Sequence, residues 1–568
     1  MRGPGRLRAG RNPSANAPAI EDCGAVTFVI TQNCCKDASC VPVCPVDCIR
    51  PVGGPGEFIG AEMLYIDPAT CIDCGACAEE CPVDAIYYEE ELPPDLQRYL
   101  DINARYFEHT PLEIGAVSTV DTHAPVGAGS LRVAIVGAGP SGCYAAGALA
   151  RVAGVEISVF DRLPTPFGLV RAGVAPDHQH TKSVVDVFGP ALTSRTLTCH
   201  LNVEIGRDIS HEELLAHHHA VIYAVGASRS RDLGIGGEQL PGSYPAADFV
   251  GWYNGHPDHA RQTFDLSAER AVVIGNGNVA LDVARVLLKG SEQLGQTDIA
   301  QHALDSLSDS AVREVQIIGR RAPRDAAFSV GEFLALGQLP GVDVVIDSDD
   351  LEPRPGDDVA TTMKLEIARE FNERPRHPEN KRIVFRFLTS PLEIVGDDRA
   401  QGLRVSLPGG ETDLIHARLI LRSVGYRGEP IGGVAFDAAV GVVPNDGGRV
   451  LGEDGVPAPG VYVTGWIKRG SRGVIGTNRS CAEESVASLW ADFDRGLLDR
   501  ELDEPDALAG LLVERGVERV DWQGWLAIDE AERRRGEQAG RPRIKFVDLA
   551  EMLGVATTAE STNARQDA

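Results

Sequence analysis

Two segments of this 568-residue sequence share one texture: an apolar run, a glycine turn and a helix rich in small or aliphatic residues. The first is LRVAIVGAGPSGCYAAGALA, residues 131–150, with Gly137, Gly139 and Gly142 spaced as G-x-G-x-x-G. The second is AVVIGNGNVALDVARVLL, residues 271–288, with Gly275, Gly277 and Ala280 at the same spacing. A strand that turns on glycines into a helix aims helix-terminal amides at a pyrophosphate, and the glycines let the backbone approach it. The glycine pattern alone is weak; the strand before it and the helix after it strengthen it. Two such units commit much of the chain to α/β dinucleotide folds and suggest two cofactors, a flavin and a nicotinamide.

The two units differ where the next strand ends. VEISVFD closes on Asp161, an acid placed to bind a ribose hydroxyl, with a strand-end turn residue as the plainer alternative. EVQIIGRRAPR, residues 314–324, instead ends in Arg320 and Arg321. Guanidinium groups there suit a 2′-phosphate, which favours NADPH over NADH; two merely solvated arginines are the alternative.

The head of the chain has a different chemistry. Nine of the thirteen cysteines fall between Cys34 and Cys81. CIDCGACAEECP, residues 71–82, spaces Cys71, Cys74, Cys77 and Cys81 as C-x2-C-x2-C-x3-C-P. At that spacing three thiolates wrap one iron–sulfur cubane and the fourth reaches a neighbouring cluster. Zinc needs only paired C-x2-C units and gives the final Cys-Pro no purpose. Counting back from Cys44-Pro45, the same template places ligands at 34, 37, 40 and 44, where the sequence has Cys34, Asp37, Cys40 and Cys44. Crossed ligation then assigns Cys44, Cys71, Cys74 and Cys77 to one cluster and Cys34, Cys40 and Cys81 to the other, with Asp37 at its remaining corner. A carboxylate oxygen is a poorer iron ligand than a thiolate. The expectation is therefore one [4Fe–4S] and one [3Fe–4S] cluster, with an Asp-ligated [4Fe–4S] as the variant. Tight clustering without an apolar leader argues against disulfides and for a reducing, cytoplasmic compartment.

Composition excludes other classes. A net charge of −28 disfavours a nucleic-acid partner, because phosphates need lysine and arginine. The acidity is concentrated: residues 21–100 hold fifteen Asp and Glu against three Lys and Arg. A solvated face explains this minimally; a docking face for a basic redox partner explains it more sharply. No apolar stretch reaches membrane-spanning length, so no membrane span is expected. The first eleven residues carry four arginines with no apolar run after them, which reads as a disordered tail over 1–22 rather than a secretory signal.

Residues 26–107, through TFVITQNC, CPVDC, MLYIDPATCIDCGAC and EEELPPDLQRYLDINARY, resemble bacterial two-cluster ferredoxins of the seven-iron type. In that resemblance Cys35 is an alternative to Cys34, and Cys48 matches a cysteine that does not ligate. Residues 131–553 resemble the adrenodoxin-reductase type of ferredoxin–NADP reductase, through LPTPFGLVRAGVAPDH (163–178), AVIYAVGA (220–227), GNGNVALDVAR (275–285), GRRAPRDAAFS (319–329), GWIKRGSRGVIGTN (465–478) and RPRIKFVDLAEML. The resemblance implies a small α+β two-cluster head followed by a glutathione-reductase-like α/β flavoprotein whose NADP domain is inserted in its FAD domain. It implies FAD contacts at Gly137, Gly139, Ser141, Gly142, Asp161, Leu169, Ile205, Trp466 and the Gly473, Val474 and Ile475 backbone. NADP contacts fall at Asn276, Gly277, Asn278, Val279, Arg320, Arg321, Glu332 and Gly473. His178 and Glu332 are the polar groups implied beside the reacting rings, as supports for alignment; the position three beyond Glu332, often a second acid in relatives, is Ala335.

The resulting layout is a tail (1–22), a ferredoxin-like domain (23–107), a linker (108–130), the first FAD part (131–228), the NADP domain (229–438) and the second FAD part (439–568). That last part carries short helices over 499–553 and a polar, disordered tail from about 554. The expected function is a reductase fused to its own ferredoxin, passing electrons from NADPH to FAD, to the clusters and on to an external acceptor such as a ferredoxin or a haem monooxygenase. Two other readings fit the same residues. One is an electron-feeding subunit like the small subunit of glutamate synthases; the other is a reductase whose head serves only for docking.

Overall fold

The structure, a computed structural model, describes residues 27–51, 62–112, 122–504 and 506–563, with side chains through 558. The tail expected over 1–22 and the middle of the linker lie outside these residues. Among the described residues, no helix is long and apolar enough to cross a membrane.

Two parallel sheets form the body. The strands Pro457–Val463, Ala220–Tyr223, Leu131–Val136, Val155–Asp161 and Leu197–Leu201 lie side by side and parallel, with the short antiparallel pair Asn445–Asp446 and Arg449–Leu451 at one edge. The second sheet has six parallel strands in the order Ser243–Pro245, Leu419–Arg422, Arg270–Ile274, Glu314–Ile318, Lys381–Arg386 and Val342–Asp347. The central strands are near-continuous aliphatic runs buried on both faces, as parallel sheets flanked by helices require. The whole second sheet is made by chain that leaves the first sheet and later returns to it. The two crossings, Arg229–Ser230 and Tyr426–Arg427, pair antiparallel with each other. This nesting of one dinucleotide fold inside another is the architecture the sequence implies.

The head is built from two small ribbons, Phe28–Ile30 against Ile86–Tyr88 and Ile49–Arg50 against Tyr65–Ile66, with the amphipathic helix Arg98–His109 packed over them. Asn103, 2% exposed, ties the three together. Its Oδ1 accepts from the Ile66 and Ile30 amides at 2.9 and 3.3 Å, and its Nδ2 donates to the Ile30 and Tyr99 carbonyls at 2.8 Å.

This head sits against both nucleotide domains. Toward the inserted domain, Arg98 and Arg105 pair with Glu370 and Glu366 at 2.6 and 2.9 Å, and Glu62 accepts from the Val330 amide at 2.7 Å while pairing with Lys364 at 3.2 Å. Toward the first domain, Ser183 Oγ donates to the Pro82 carbonyl at 2.8 Å. The chain after the head is also anchored: His123 stacks on Trp490 at 4.0 Å and the Val126 amide donates to the Ala153 carbonyl at 2.9 Å.

One expectation is corrected at the C-terminus. The polar composition after 554 suggests disorder, but a helix runs Leu549–Asn563. Met552 and Ala556, 1% and 2% exposed, form its buried face in the apolar cluster that contains Trp525 and Ile528. Two apolar residues four apart suffice because the neighbouring helix Trp522–Gln538 supplies the rest of the contact.

Candidate functional site

The cysteines fall into two sets. Cys44, Cys71, Cys74 and Cys77 line one pocket, together with Phe28, Val46, Cys48, Ile49, Ile66, Ile72 and Gly75. Cys34, Cys40 and Cys81, the other expected set, lie close enough for their charged forms to repel one another, and Cys40 also feels Cys77. Each set thus takes one cysteine from the opposite motif. All described cysteines are free thiols.

The backbone repeats as the sequence does. Positive φ occurs two and four residues after the first cysteine of each motif, at Lys36 and Ala38 (61° and 64°) and at Asp73 and Gly75 (56° and 76°). It recurs three residues after each Cys-Pro cysteine, at Asp47 and Asp84 (51° and 48°). Left-handed backbone disfavours a residue with a Cβ by about 1–2 kcal/mol, so such repetition marks a shape the site imposes.

Burial pushes the Cys34 thiol up to about 11 and the Cys77 thiol up to about 12, and raises Cys40 well above the ordinary thiol value. Buried thiols that repel one another as anions become stable thiolates on binding a metal, which is the fit an iron–sulfur cluster requires. Cys48, left without a role by the sequence, lies against the first set: its Sγ is 3.4 Å from Cys44 Sγ, and its presence lowers the Cys71 thiol to about 4. Cys35, the alternative to Cys34, is 4% exposed and belongs to the apolar cluster containing Val83, Ala85 and Tyr144.

Asp37 is 2% exposed and its carboxylate is engaged by protein. Tyr144 Oη donates to Oδ2 at 2.6 Å, and the Ser39 amide and hydroxyl donate to Oδ1. Arg479 Nη1 lies 3.7 Å from Oδ1 and donates to the Asp37 carbonyl at 2.8 Å. The structure therefore places Asp37 at the seam between the head and the first nucleotide domain.

The first glycine turn is formed as its motif requires. Gly137 has φ 107°, and a Cβ on Gly142 would run into the Gly137 carbonyl, so helix Pro140–Ala150 starts hard against the turn. Asp161 holds that turn, accepting from the Ala138 amide at 2.8 Å and the Leu163 amide at 2.9 Å; burial raises its carboxyl pKa. Ser141 Oγ is 3.0 Å from Thr464 Oγ1, which brings the turn to the segment leading into Trp466. Gly168 approaches Gly139 and sets the exposed Leu169 beside the turn. Ile205 follows Val203, whose amide bonds the Asp161 carbonyl at 2.9 Å. Trp466 stacks on Tyr426 at 5.7 Å, and Gly473, Val474 and Ile475 lead into helix Thr477–Asp494. Close backbone approach around an open glycine turn suits a dinucleotide such as FAD.

The second turn opens helix Asn278–Leu288 at Gly277. Asn276 lies against Gly319, and Asn278 Oδ1 accepts from the Ser329 amide at 2.7 Å. Arg320 and Arg321 are both exposed at the end of Glu314–Ile318, and neither guanidinium has a protein partner among the described residues. An unpartnered pair at that strand end suits a 2′-phosphate.

Between the domains lies a charged junction. His178 Nε2 is 3.8 Å from Glu332 Oε2, and both face Arg285. The Arg285 guanidinium, 4% exposed, bonds Asp177 at 2.9 Å, Asp282 at 2.7 Å and Glu332 at 3.2 Å, while Lys289 bonds Asp177 at 2.8 Å. Ligand atoms of His178, Asp282 and Glu332 come within 4.8 Å of one another, and Arg285 supplies the positive charge there. Burial, aided by Arg285, lowers His178 to about 4, so its imidazole is neutral at neutral pH. Burial raises Glu332 and Asp282 against the pull of Arg285. Sequence reasoning missed Arg285, whose signal is its i,i+3 spacing from Asp282 on the helix after the glycine turn.

Residues 131–322 match the family described as pyridine nucleotide-disulphide oxidoreductase, and residues 64–87 match the 4Fe-4S binding domain. The chain is 46% identical over 546 residues to a probable ferredoxin/ferredoxin–NADP reductase of Mycobacterium leprae, covering 94% of this chain and 98% of that protein. It is 43% identical over 453 residues to the NADPH-ferredoxin reductase FprA of Mycobacterium tuberculosis, covering 74% and 98%. The solved structure of that FprA in complex with NADPH superimposes with a TM-score of 0.71 at 41% identity, covering 75% of this chain and 99% of that one.

Proposed function

The chain belongs to the ferredoxin/ferredoxin–NADP reductase family, and from that premise we propose that it draws electrons from NADPH through FAD into its own iron–sulfur head and on to an external acceptor. When bound, FAD supplies hydride acceptance and single-electron release, and the clusters supply one-electron carriage.

The chain's residues provide position and charge. The glycine turns at Gly137–Gly142 and Gly275–Ala280 receive the two pyrophosphates, and Arg320 with Arg321 selects the 2′-phosphate. Neutral His178 and the Arg285-bound Glu332 line the junction between the two domains without moving a proton, since hydride transfer needs alignment rather than an acid or base. Cys44, Cys71, Cys74 and Cys77 hold a [4Fe–4S] cluster. Cys34, Cys40 and Cys81 hold a [3Fe–4S] cluster, because Asp37 is occupied by Tyr144 and Ser39; an Asp-ligated [4Fe–4S] would require Asp37 to leave both.

The acceptor docks where Cys74 and Ile72 reach the surface, Ile72 being 57% exposed, among Asp73, Glu79, Glu80, Glu90 and Glu91. Such an acidic rim steers a basic partner and loses that advantage as salt rises.

The observation that carries this reading is the four-cysteine pocket in a head seated on both nucleotide folds. Its test is an anaerobic NADPH titration of the purified chain alongside iron and sulfide analysis. The reading holds if flavin and iron absorbance both bleach with about seven irons per chain. It fails if NADPH bleaches the flavin while neither the iron nor an added ferredoxin is reduced.

A further inference from the structure

The two cysteine motifs share a backbone path but meet different surroundings. Position 74 of the second motif is a cysteine exposed to solvent at the rim of its pocket. The equivalent position in the first motif, 37, is an aspartate buried against the flavin-type domain. The loop around it is fastened by four separate groups. The Gly476 amide donates to the Cys35 carbonyl at 2.9 Å, next in the chain to Cys34. Arg479 Nη1 donates to the Asp37 carbonyl at 2.8 Å, Tyr144 Oη donates to the Asp37 carboxylate at 2.6 Å, and Ser39 closes the carboxylate from its own loop. Gly476 directly follows the Gly473–Ile475 stretch assigned above to FAD. One hydrogen bond therefore joins the flavin segment to the backbone of the first motif, whereas the second motif opens to water at Cys74 and meets the first domain at its Cys81-Pro82 end, where Ser183 Oγ donates to the Pro82 carbonyl.

We propose that Asp37 is a docking residue rather than an iron ligand, and that with Tyr144, Arg479 and the Gly476 amide it makes the Cys34/Cys40/Cys81 set the entry point for electrons and the Cys44/Cys71/Cys74/Cys77 set the exit. The proposal rests on the electron route given under Proposed function and assigns its order. Each turnover converts NADPH to NADP⁺, releases one proton and sends two electrons singly into the head, one per cluster reduced. Lacking a fourth thiolate, the first motif gains an anion that binds the reductase. The loop is thereby held where the flavin segment is nearest.

The test uses the full-length holoprotein and Tyr144→Phe combined with Arg479→Ala, neither of which is itself a proposed cofactor contact. Amide hydrogen exchange over residues 35–39 reads the docking directly, and rapid-freeze spin resonance after anaerobic mixing with NADPH reads the iron. Removing hydrogen bonds to charged groups is expected to speed exchange of this loop roughly tenfold or more. Iron reduction should slow by a similar factor, while flavin bleaching by NADPH keeps its rate. Asp37→Asn, which retains an acceptor for Tyr144, should keep the iron content and cluster spectrum of the native protein. Faster exchange with unchanged iron reduction overturns the entry point, and unchanged exchange overturns the docking role. Loss of iron in Asp37→Asn overturns the claim that Asp37 is no ligand. A native protein whose iron NADPH never reduces refutes instead the route on which the proposal rests.

Discussion

Gly476→Ala isolates the seam between head and reductase. Gly476 has φ −65° and ψ −23°, a conformation open to every residue, so alanine brings no backbone strain. On its own, such a change would be neutral or mildly stabilising, by about 0.4–1 kcal/mol through the unfolded chain. The difficulty is the neighbour. A Cβ at 476 would overlap the Lys36 carbonyl and sit 2.6 Å from the Asp37 nitrogen, and these are backbone atoms that no rotamer change removes. If the loop yields in place, overpacking of this kind costs about 1–3 kcal/mol. If it lifts away, it loses one backbone hydrogen bond and two charge-assisted ones, together roughly 4–7 kcal/mol. Yielding is the smaller cost, so opening of the 35–39 loop should become about 5- to 140-fold more frequent. Hydrogen exchange at those amides measures this, with exchange in the strands Leu131–Val136 and Arg270–Ile274 as an internal reference for global stability. Exchange at 35–39 equal to that of the unmodified chain would refute the close approach of the two domains.

Three further outcomes follow from the site. Replacing either Arg320 or Arg321 by alanine should weaken NADPH relative to NADH by roughly 10- to 100-fold, since each guanidinium–phosphate bond is worth about 1.5–3 kcal/mol; equal loss for both nucleotides in steady-state kinetics would contradict it. Arg285→Leu leaves Asp177, Asp282 and Glu332 without their shared buried cation and should lower stability by about 3–5 kcal/mol; an unchanged denaturation midpoint would contradict this. Burial holds His178, His218 and His256 at about 4 and His200 at about 3, all below the free imidazole value. The unfolded chain therefore binds more protons than the folded one between those values and the ordinary value of about 6.5, so stability is full above that range and falls as pH drops through it. The melting temperature should fall from pH 7 to pH 5; a flat or rising profile would count against these burials.

The nested sheets were legible because their signals are local. Each glycine turn lies between an aliphatic strand and a helix within about twenty residues, and the strand-end acid or arginine pair follows at a fixed remove. The cysteine motifs were legible for the same reason, including the substitution at Asp37. What Asp37 does was not legible. Its partners Tyr144 and Arg479 are 107 and 442 residues away, and nothing in either segment marks it as a contact for the head. The central place of Arg285 was hidden similarly, since Asp177 and Glu332 reach it from separate stretches of chain. The continuation of the helix Leu549–Asn563 past residue 554 was not legible because the polar stretch TTAESTN carries little periodicity, and the helix is held by packing on Trp525 and Ile528 of a neighbouring helix.

Electrons from NADPH should reach iron held by the head. Low-temperature spin resonance of the anaerobic protein, before and after one equivalent of NADPH, tests it most directly. The expected result is a three-iron signal in the oxidised protein that disappears on reduction. A yellow protein without acid-labile sulfide, or one whose flavin is reduced by NADPH while every iron signal stays as it was, would contradict it.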